Sequence, residues 1–213
     1  MDPEDDPNDY DDTEDELITA QKVLENLETA WANELFAPEI LCHQTEMLEL
    51  MLGQIAHMEE NMKELDKNDF RFIAHQMELE RIRYIIASYL RCRLQKIEMF
   101  TKHIIAEESS RDVSAKRLSA EETIYAQEFH DNTENYFNVV ALQYMPNLQR
   151  SDVEKRIVRP NLMSHVFLKA DVSVSAVVVG VDDEEVDLAA GSQHIIPYQL
   201  ISDLILKEQA HLI

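Results

Sequence analysis

Residues 77–98 read MELERIRYIIASYLRCRLQKIE, without a proline or a glycine. Leu79, Ile82, Ile86, Leu90 and Ile97 recur at spacings of three, four and seven residues, which is the period of an α-helix. Phe70, Ile73, Met77 and Tyr84 overlap this stretch and extend N-terminally from it; they form a second apolar stripe, also helically spaced, on a different face. A surface helix of a globular domain carries one such stripe, so a helix with two is expected to be held between neighbours on both sides. Some of those neighbours are expected in other chains.

Outward from this helix, proline and glycine divide the chain. Between Pro38 and Pro146 there is no proline and a single glycine, Gly53, as long helices require, since an interior proline costs about 3 kcal/mol. Thr13 and Glu16 suggest a capping box opening a first helix over about 17–35, with Leu17, Leu24, Leu27 and Trp31 on one face. Thr45 with Glu49 opens a second over about 45–65, with Leu48, Met51, Ile55, Met58 and Met62 as its stripe. The third runs over about 69–105. Ser119 and Glu122 form a stronger capping box for a fourth, ending near Tyr144. Beyond Pro146 the pattern changes. Residues 147–160 are polar and aperiodic. His165, Val166, Phe167, Leu168 and Lys169 form a β-rich run, and residues 172–178 alternate with period two. A turn at 180–183, a strand at 185–189, a break at Gly191, a short helix over 197–206 and a last strand over 210–213 complete the reading. The expected fold is mainly α: an N-terminal bundle of four to five helices over 17–146, a linker over 147–160 and a small β-rich domain over 161–213. A domain of that last size is marginal alone and should lean on the helical domain or on a partner.

The 213 residues carry a net charge of −23, ten of those negative charges falling in residues 1–16 with no basic residue among them. That run reads as a solvated tail, with Tyr10, Leu17 and Ile18 as its only apolar handles. An excess of acid disfavours nucleic-acid affinity, which rests on Lys and Arg displacing counterions. Two cysteines, Cys42 and Cys92, lack CxxC spacing and point to neither a disulfide framework nor a zinc site. No apolar run approaches membrane-spanning length, and the N-terminus has neither the basic start nor the apolar core of a secretory signal, so a reducing intracellular compartment is expected.

Catalytic motifs are missing from the sequence. GxxxxGK[ST], GxGxxG, GxSxG and HExxH do not occur, and only Glu208 with His211 matches the Glu-x-x-His of di-iron bundles. His57 beside Glu59 and Glu60, His75 near Glu78, and His194 after Ser192 are read as surface, strand-end or turn neighbours rather than acid–base sites. No cofactor is expected, and the chain is not expected to be an enzyme. Eleven of the 19 basic residues fall between Lys67 and Arg117, with Arg81, Arg83, Arg91 and Arg93 crowding the third helix. They do not share one face. Glu78 lies three before Arg81, Glu80 three before Arg83 and Glu98 four before Lys102, where helix-surface pairs form. Carboxylate pairing inside the bundle or across an interface is therefore preferred over a DNA-binding face. Trp31, Tyr84 and Tyr89 suit either interface anchors or core, and Met47, Met51, Met58 and Met62 suit core.

Five short motifs in one order carry a family resemblance. Ala30-Trp31-Ala32-Asn33-Glu34 with Phe36-Ala37-Pro38-Glu39; His57-Met58-Glu59-Glu60-Asn61; the run from Glu80 through Glu98; Val140-Ala141-Leu142 with Met145-Pro146-Asn147-Leu148-Gln149; and Gly191-Ser192-Gln193-His194 together resemble GINS complex subunits of the Sld-five type. The resemblance covers the chain after Leu17. It implies a nuclear protein of DNA replication, one of four related two-domain subunits in a heterotetramer. By the same resemblance that complex joins the MCM helicase and its accessory factor to form the CMG helicase, needed for initiation and elongation, and contacts other replisome proteins. The subunit would be a scaffold without catalytic residues, intrinsic sequence-specific nucleic-acid binding or membrane contact. Arg81, Arg83, Tyr84, Tyr89, Leu90, Arg91 and Arg93 are the expected interface or core-organising residues, with Leu206, Leu212 and Ile213 at an assembly edge. The alternative is a stand-alone helical-bundle adaptor binding a peptide or nucleic acid through the third helix.

Overall fold

The computed structural model describes residues 20–63, 65, 69–112, 115–146, 157–178 and 185–213. The acidic tail, the box at Thr13 and Glu16, the handles Tyr10, Leu17 and Ile18, most of the 147–160 linker and the turn at 180–183 lie outside them. Four helices come first: α1 (Ala20–Phe36), α2 (Thr45–Met62), α3 (Phe70–Ser110) and α4 (Ala120–Val140), followed by a single 3₁₀ turn at Leu142–Tyr144. Then come β1 (His165–Ala170), β2 (Val174–Val178), β3 (Glu185–Leu188), β4 (Gln193–Pro197), α5 (Tyr198–Leu206) and β5 (Ala210–Leu212). The architecture is a helical bundle followed by a small β-containing unit, the fold class the sequence implies.

The bundle closes around apolar stripes. Val23 and Leu27 of α1 meet Met51 and Ile55 of α2 and Leu79, Ile82, Ile85 and Ile86 of α3, with Leu24, Trp31, Met47, Leu48, Met58 and Met62 packed at the margin. A second core joins Ile97 and Ile104 of α3 to Ala126 of α4, Ile40 and Leu118. The α3 stripe departs from expectation at one position. Leu90 is exposed, and the buried ridge instead runs through Leu79, Ile82, Ile86, Tyr89, Arg93 and Ile97. Hydrophobicity alone favours Leu90, but a helix of 3.6 residues per turn keeps position 89 on the ridge and turns 90 aside.

Other elements shift at their ends. Asp69 caps α3, its carboxylate accepting from the Arg71 N–H at 2.9 Å, and the helix continues to Ser110, five residues past its expected end. Phe100 leaves helical geometry at φ −118° and ψ 24°. Next to it the Thr101 hydroxyl donates to the Ile97 carbonyl at 2.6 Å, the kind of back-bonding that bends helices. At α4 the Ser119 hydroxyl and Glu122 carboxylate form the expected reciprocal box, but the helix tightens to 3₁₀ after Val140, ahead of Pro146.

In the C-terminal unit β1 is central to a three-stranded antiparallel sheet, β4-β1-β5, and β2 pairs with β3 in a separate two-stranded sheet. Val166, Leu168 and Ala170 alternate inward along β1, and α5 buries Tyr198, Ile201 and Ile205 beneath the sheet. Strand β4 was not expected; it begins directly after the turn in which Gly191 adopts φ +81°. The core of this unit also takes in Ala37 and Leu41 from the α1–α2 connection, so the two halves share apolar surface. Among the described residues no helix is long and apolar enough to cross a membrane, and no group of His, Cys, Asp and Glu is placed to hold a metal ion.

Candidate functional site

The inward face of α3 carries a buried charge cluster. Arg93 is 1% exposed, and so is Glu34 of α1. The Arg93 guanidinium uses all its nitrogens. It donates to both carboxylate oxygens of Glu122 at 2.7 and 2.8 Å, to Glu34 at 3.2 Å, and to the carbonyls of Leu41 and Arg117, both at 2.9 Å. Lys96, one turn on, donates to Glu34 at 2.8 Å and to the Glu39 carbonyl at 2.8 Å. Arg117 donates to Glu39 at 2.6 Å, and the other Glu39 oxygen accepts from the Tyr198 hydroxyl at 3.0 Å. One connected network thus pins α1, the α1–α2 connection, α3, the start of α4 and the C-terminal unit to each other. The Asn33 side chain adds a second tie, accepting from the Leu212 N–H at 2.7 Å.

The electrostatics follow from this pairing. Burial opposes the charged form of Glu122, but the Arg93 hydrogen bond and charge outweigh it and hold its carboxyl below the usual range. Arg93 is likewise held above its ordinary value: burial, the largest influence, acts the other way and is overcome by Glu122, Tyr89 and Glu34. Burial wins at Lys96, whose ammonium is pushed down, and at Tyr89, pushed up to about 12. Such a cluster can organise a fold.

The outward face of α3 is apolar. Phe70 is 79% exposed, Met77 69% and Tyr84 60%, with Ile73 between them also exposed. Arg91, one heptad beyond Tyr84, is exposed, and no hydrogen bond or ion pair among the described residues engages it. Tyr84 meets Trp31 in an edge-on arrangement, at 6.2 Å between centroids, while the indole N–H is satisfied by Ser88 at 3.0 Å. A second exposed apolar set lies on α4 and beyond it, with Ile124, Tyr136, Phe137, Val139, Val140 and Tyr144. On the C-terminal sheet Phe167 and Ile195, cross-strand partners, are both exposed.

The ten residues singled out from sequence therefore divide. Tyr89, Arg93 and Leu212 are buried. Arg81, Arg83, Tyr84, Leu90, Arg91, Leu206 and Ile213 are exposed, the first two in ion pairs. Arg83 pairs with Glu80 as expected at 3.1 Å and also with Glu59. Arg81 bypasses Glu78 for Glu28 on α1 at 2.6 Å, and Lys102 bypasses Glu98 for Glu134 on α4 at 2.9 Å, because a carboxylate on the packed helix is better placed than one on the same helix. Sequence reasoning missed Glu34, Glu39, Lys96, Arg117 and Tyr198. A signal existed for the first: Glu34 stands seven residues after Leu27 on the α1 stripe, as Arg93 stands seven after Ile86 on that of α3. Opposite charges interrupting two packed stripes mark a buried pair.

Comparison with known proteins gives the same organisation. Residues 25–141 match the family described as the GINS complex protein helical bundle domain, and residues 160–213 match the DNA replication complex GINS protein SLD5 C-terminus. The chain is 42% identical over 208 residues to the human DNA replication complex GINS protein SLD5, covering 94% of this chain and 93% of that one. It is 40% identical to the Xenopus laevis protein of the same name over 209 residues, 95% of each chain, and 29% identical to the Arabidopsis thaliana one over 211 residues, 93% and 94%.

Proposed function

The chain belongs to the SLD5 family of GINS complex proteins, and from that premise we propose that it acts as a non-catalytic scaffold subunit of the replicative helicase. Its partners are the other three GINS subunits and, through them, the MCM motor and its accessory factor in the CMG assembly, in the nucleus. Its contribution is mechanical: a rigid body holds the active arrangement of an ATPase that lies elsewhere. The domains are the acidic tail 1–16, the helical domain 17–146, the linker 147–160 and the β-rich domain 161–213.

The observation that carries this reading is the outward stripe of α3. Phe70, Ile73, Met77 and Tyr84 form an exposed, helically spaced apolar row, and among the described residues the aromatic contact to it is Trp31 against Tyr84. A stable monomer rarely leaves such a row open, whereas a subunit interface requires it. Arg91 at the end of the row supplies a free guanidinium for a partner carboxylate. Against nucleic-acid binding stand the net charge of −23 and the engagement of Arg81, Arg83 and Arg93 by the chain's own carboxylates.

Size-exclusion chromatography with light scattering tests the proposal, on the chain alone and co-expressed with the three other subunits. Aggregation or self-association alone and an equimolar four-chain particle together are expected. A monodisperse monomer that ignores the other three would leave the stand-alone adaptor as the better reading.

A further inference from the structure

Strand β4 is an edge. In the sheet β4-β1-β5 it pairs with β1 alone, residue for residue from Gln193 to Pro197 without a bulge. The register fixes which of its backbone groups face outward. The Ala170 N–H donates to the Ser192 carbonyl at 3.0 Å and the Ile213 N–H to the Phe167 carbonyl at 3.1 Å, so alternate β1 residues face β4 and β5. Ser192, His194 and Ile196 accordingly face β1, whereas Gln193 and Ile195 turn their N–H and C=O groups to the outer edge. No backbone bond among the described residues reaches those groups. Natural edges are blunted by charged side chains, bulges or proline. Strand β4 carries no Lys, Arg, Asp or Glu, and its proline, Pro197, comes only at its end. An apolar row crosses the exposed face of the sheet and stops at this edge: Ile213, just past β5, then Phe167 of β1 and Ile195 of β4 are direct cross-strand neighbours, all exposed. The next row on that face is His211, Lys169 and Gln193. Asp171, two residues on from Lys169, is held by His211 at 2.8 Å, and no hydrogen bond or ion pair among the described residues engages Lys169.

We propose that an extended segment of another subunit adds to this sheet as a fourth strand along the outer edge of β4, with an apolar side chain beside Ile195 and an acidic one beside Gln193, two residues along. The open edge dictates the extended backbone, since Gln193 and Ile195 present donors and acceptors in the pattern that strand addition uses. The apolar row dictates the first side chain. Directly opposite residues of neighbouring strands share a face, so the residue opposite Ile195 continues the row of Ile213, Phe167 and Ile195 by one place. Lys169 dictates the second. It lies two strand spacings from the added strand, about 10 Å, a gap that a lysine and a carboxylate side chain close together. Pro197, with no N–H, ends the pairing. The proposal rests on the assembly reading, since another subunit must supply the strand.

The experiment follows amide exchange at Gln193 and Ile195 by fragmentation-resolved mass spectrometry, in the free chain and in the purified four-chain particle. In the free chain both amides should exchange at unprotected rates, because neither has an acceptor. In the particle both should slow by about tenfold or more, since the added strand must open first. Lys169→Glu should return them toward their free rates while the mass by light scattering stays that of four chains. Ile195→Pro removes one outward donor together with the apolar side chain, at an edge position where proline is tolerated. The melting of the free chain should therefore hold, while the particle dissociates at a concentration about tenfold or more higher than the parent. A four-chain particle whose Gln193 and Ile195 amides exchange at the free rate overturns the strand proposal and leaves the assembly reading standing. Full protection in the Lys169→Glu particle overturns it as well, and so does an Ile195→Pro particle as stable as the parent. Protection already present in the free chain would mean that this chain covers its own edge, which also overturns it. Failure of the parent chain to form the particle counts against the assembly reading and takes this one with it.

Discussion

Arg91 and Arg93 stand two positions apart on α3 and meet opposite surroundings, and substitution separates them. Arg93 is enclosed by Glu34, Glu122 and two carbonyls. Its removal strands a buried carboxylate and two buried acceptors, and breaking one side of such a buried pair costs about 3–5 kcal/mol. Arg93→Ala should therefore lower the urea midpoint of the chain by that equivalent at unchanged slope, and Arg93→Lys, which keeps charge but loses the two-pronged grip on Glu122, should fall between. Arg91 is exposed, and no side-chain hydrogen bond or ion pair among the described residues engages it. Arg91→Ala should leave that midpoint within about 0.5 kcal/mol of the parent, as surface substitutions do. It should weaken the four-chain particle by more than about 1 kcal/mol, read from its dissociation on dilution. An unchanged particle would remove Arg91 from the interface. Composition does not tell these two arginines apart; only the stripe register does, because position 93 continues the ridge from Ile86 and position 91 continues the outer row from Tyr84.

At the scale of elements, α3 and α4 expose the same logic on larger surfaces. Met77→Glu places a charge in the outer α3 row at a side chain 69% exposed, so the melting of the free chain should hold and the assembled particle should fail to form. Retained assembly would direct attention to the exposed apolar side chains of α4 instead. The α4 terminus has a pH signature. Glu122 both completes the Ser119 box and grips Arg93, and its folded-state carboxyl titrates below the ordinary value of 4.5. A depressed carboxylate stabilises the fold fully above its unfolded value, and that stabilisation is lost as pH falls through the folded one. Acid should thus destabilise the parent chain below about pH 4.5, and Glu122→Gln, already weakened at neutral pH, should show a flatter acid limb in denaturant midpoints against pH. Helices of this kind were legible from sequence because each stripe, cap and proline acts locally: Ser119 with Glu122 located the start of α4. The Phe100 kink was not, since it depends on one hydroxyl reaching back to a carbonyl. Two of the three expected ion-pair partners were not either, because Arg81 and Lys102 chose carboxylates on other helices.

For the whole molecule, what no periodicity contains is the order β4-β1-β5 and the docking of that sheet on α1, both of which join residues far apart in sequence. The undersized C-terminal unit did announce its dependence. Its core borrows Ala37 and Leu41, and two polar ties, Asn33 to Leu212 and Glu39 to Tyr198, fix the join. A 161–213 fragment should accordingly lack the cooperative melting expected of the full chain, as circular dichroism would read it. The ties themselves can be tested without cutting the chain. Each is a hydrogen bond at the edge of a shared apolar core, and a single such bond contributes about 1 kcal/mol net. Asn33→Ala with Tyr198→Phe removes both while leaving Ala37 and Leu41 in place, so the unit should stay folded but open more often. Amide exchange in β1 and β5 should accelerate by about tenfold or more, the equivalent of losing one to two such bonds, with α2 and α3 unchanged. Uniform acceleration across both halves would instead mean that the chain opens only as a whole, and that the apolar seam rather than the two polar ties decides how the halves are held.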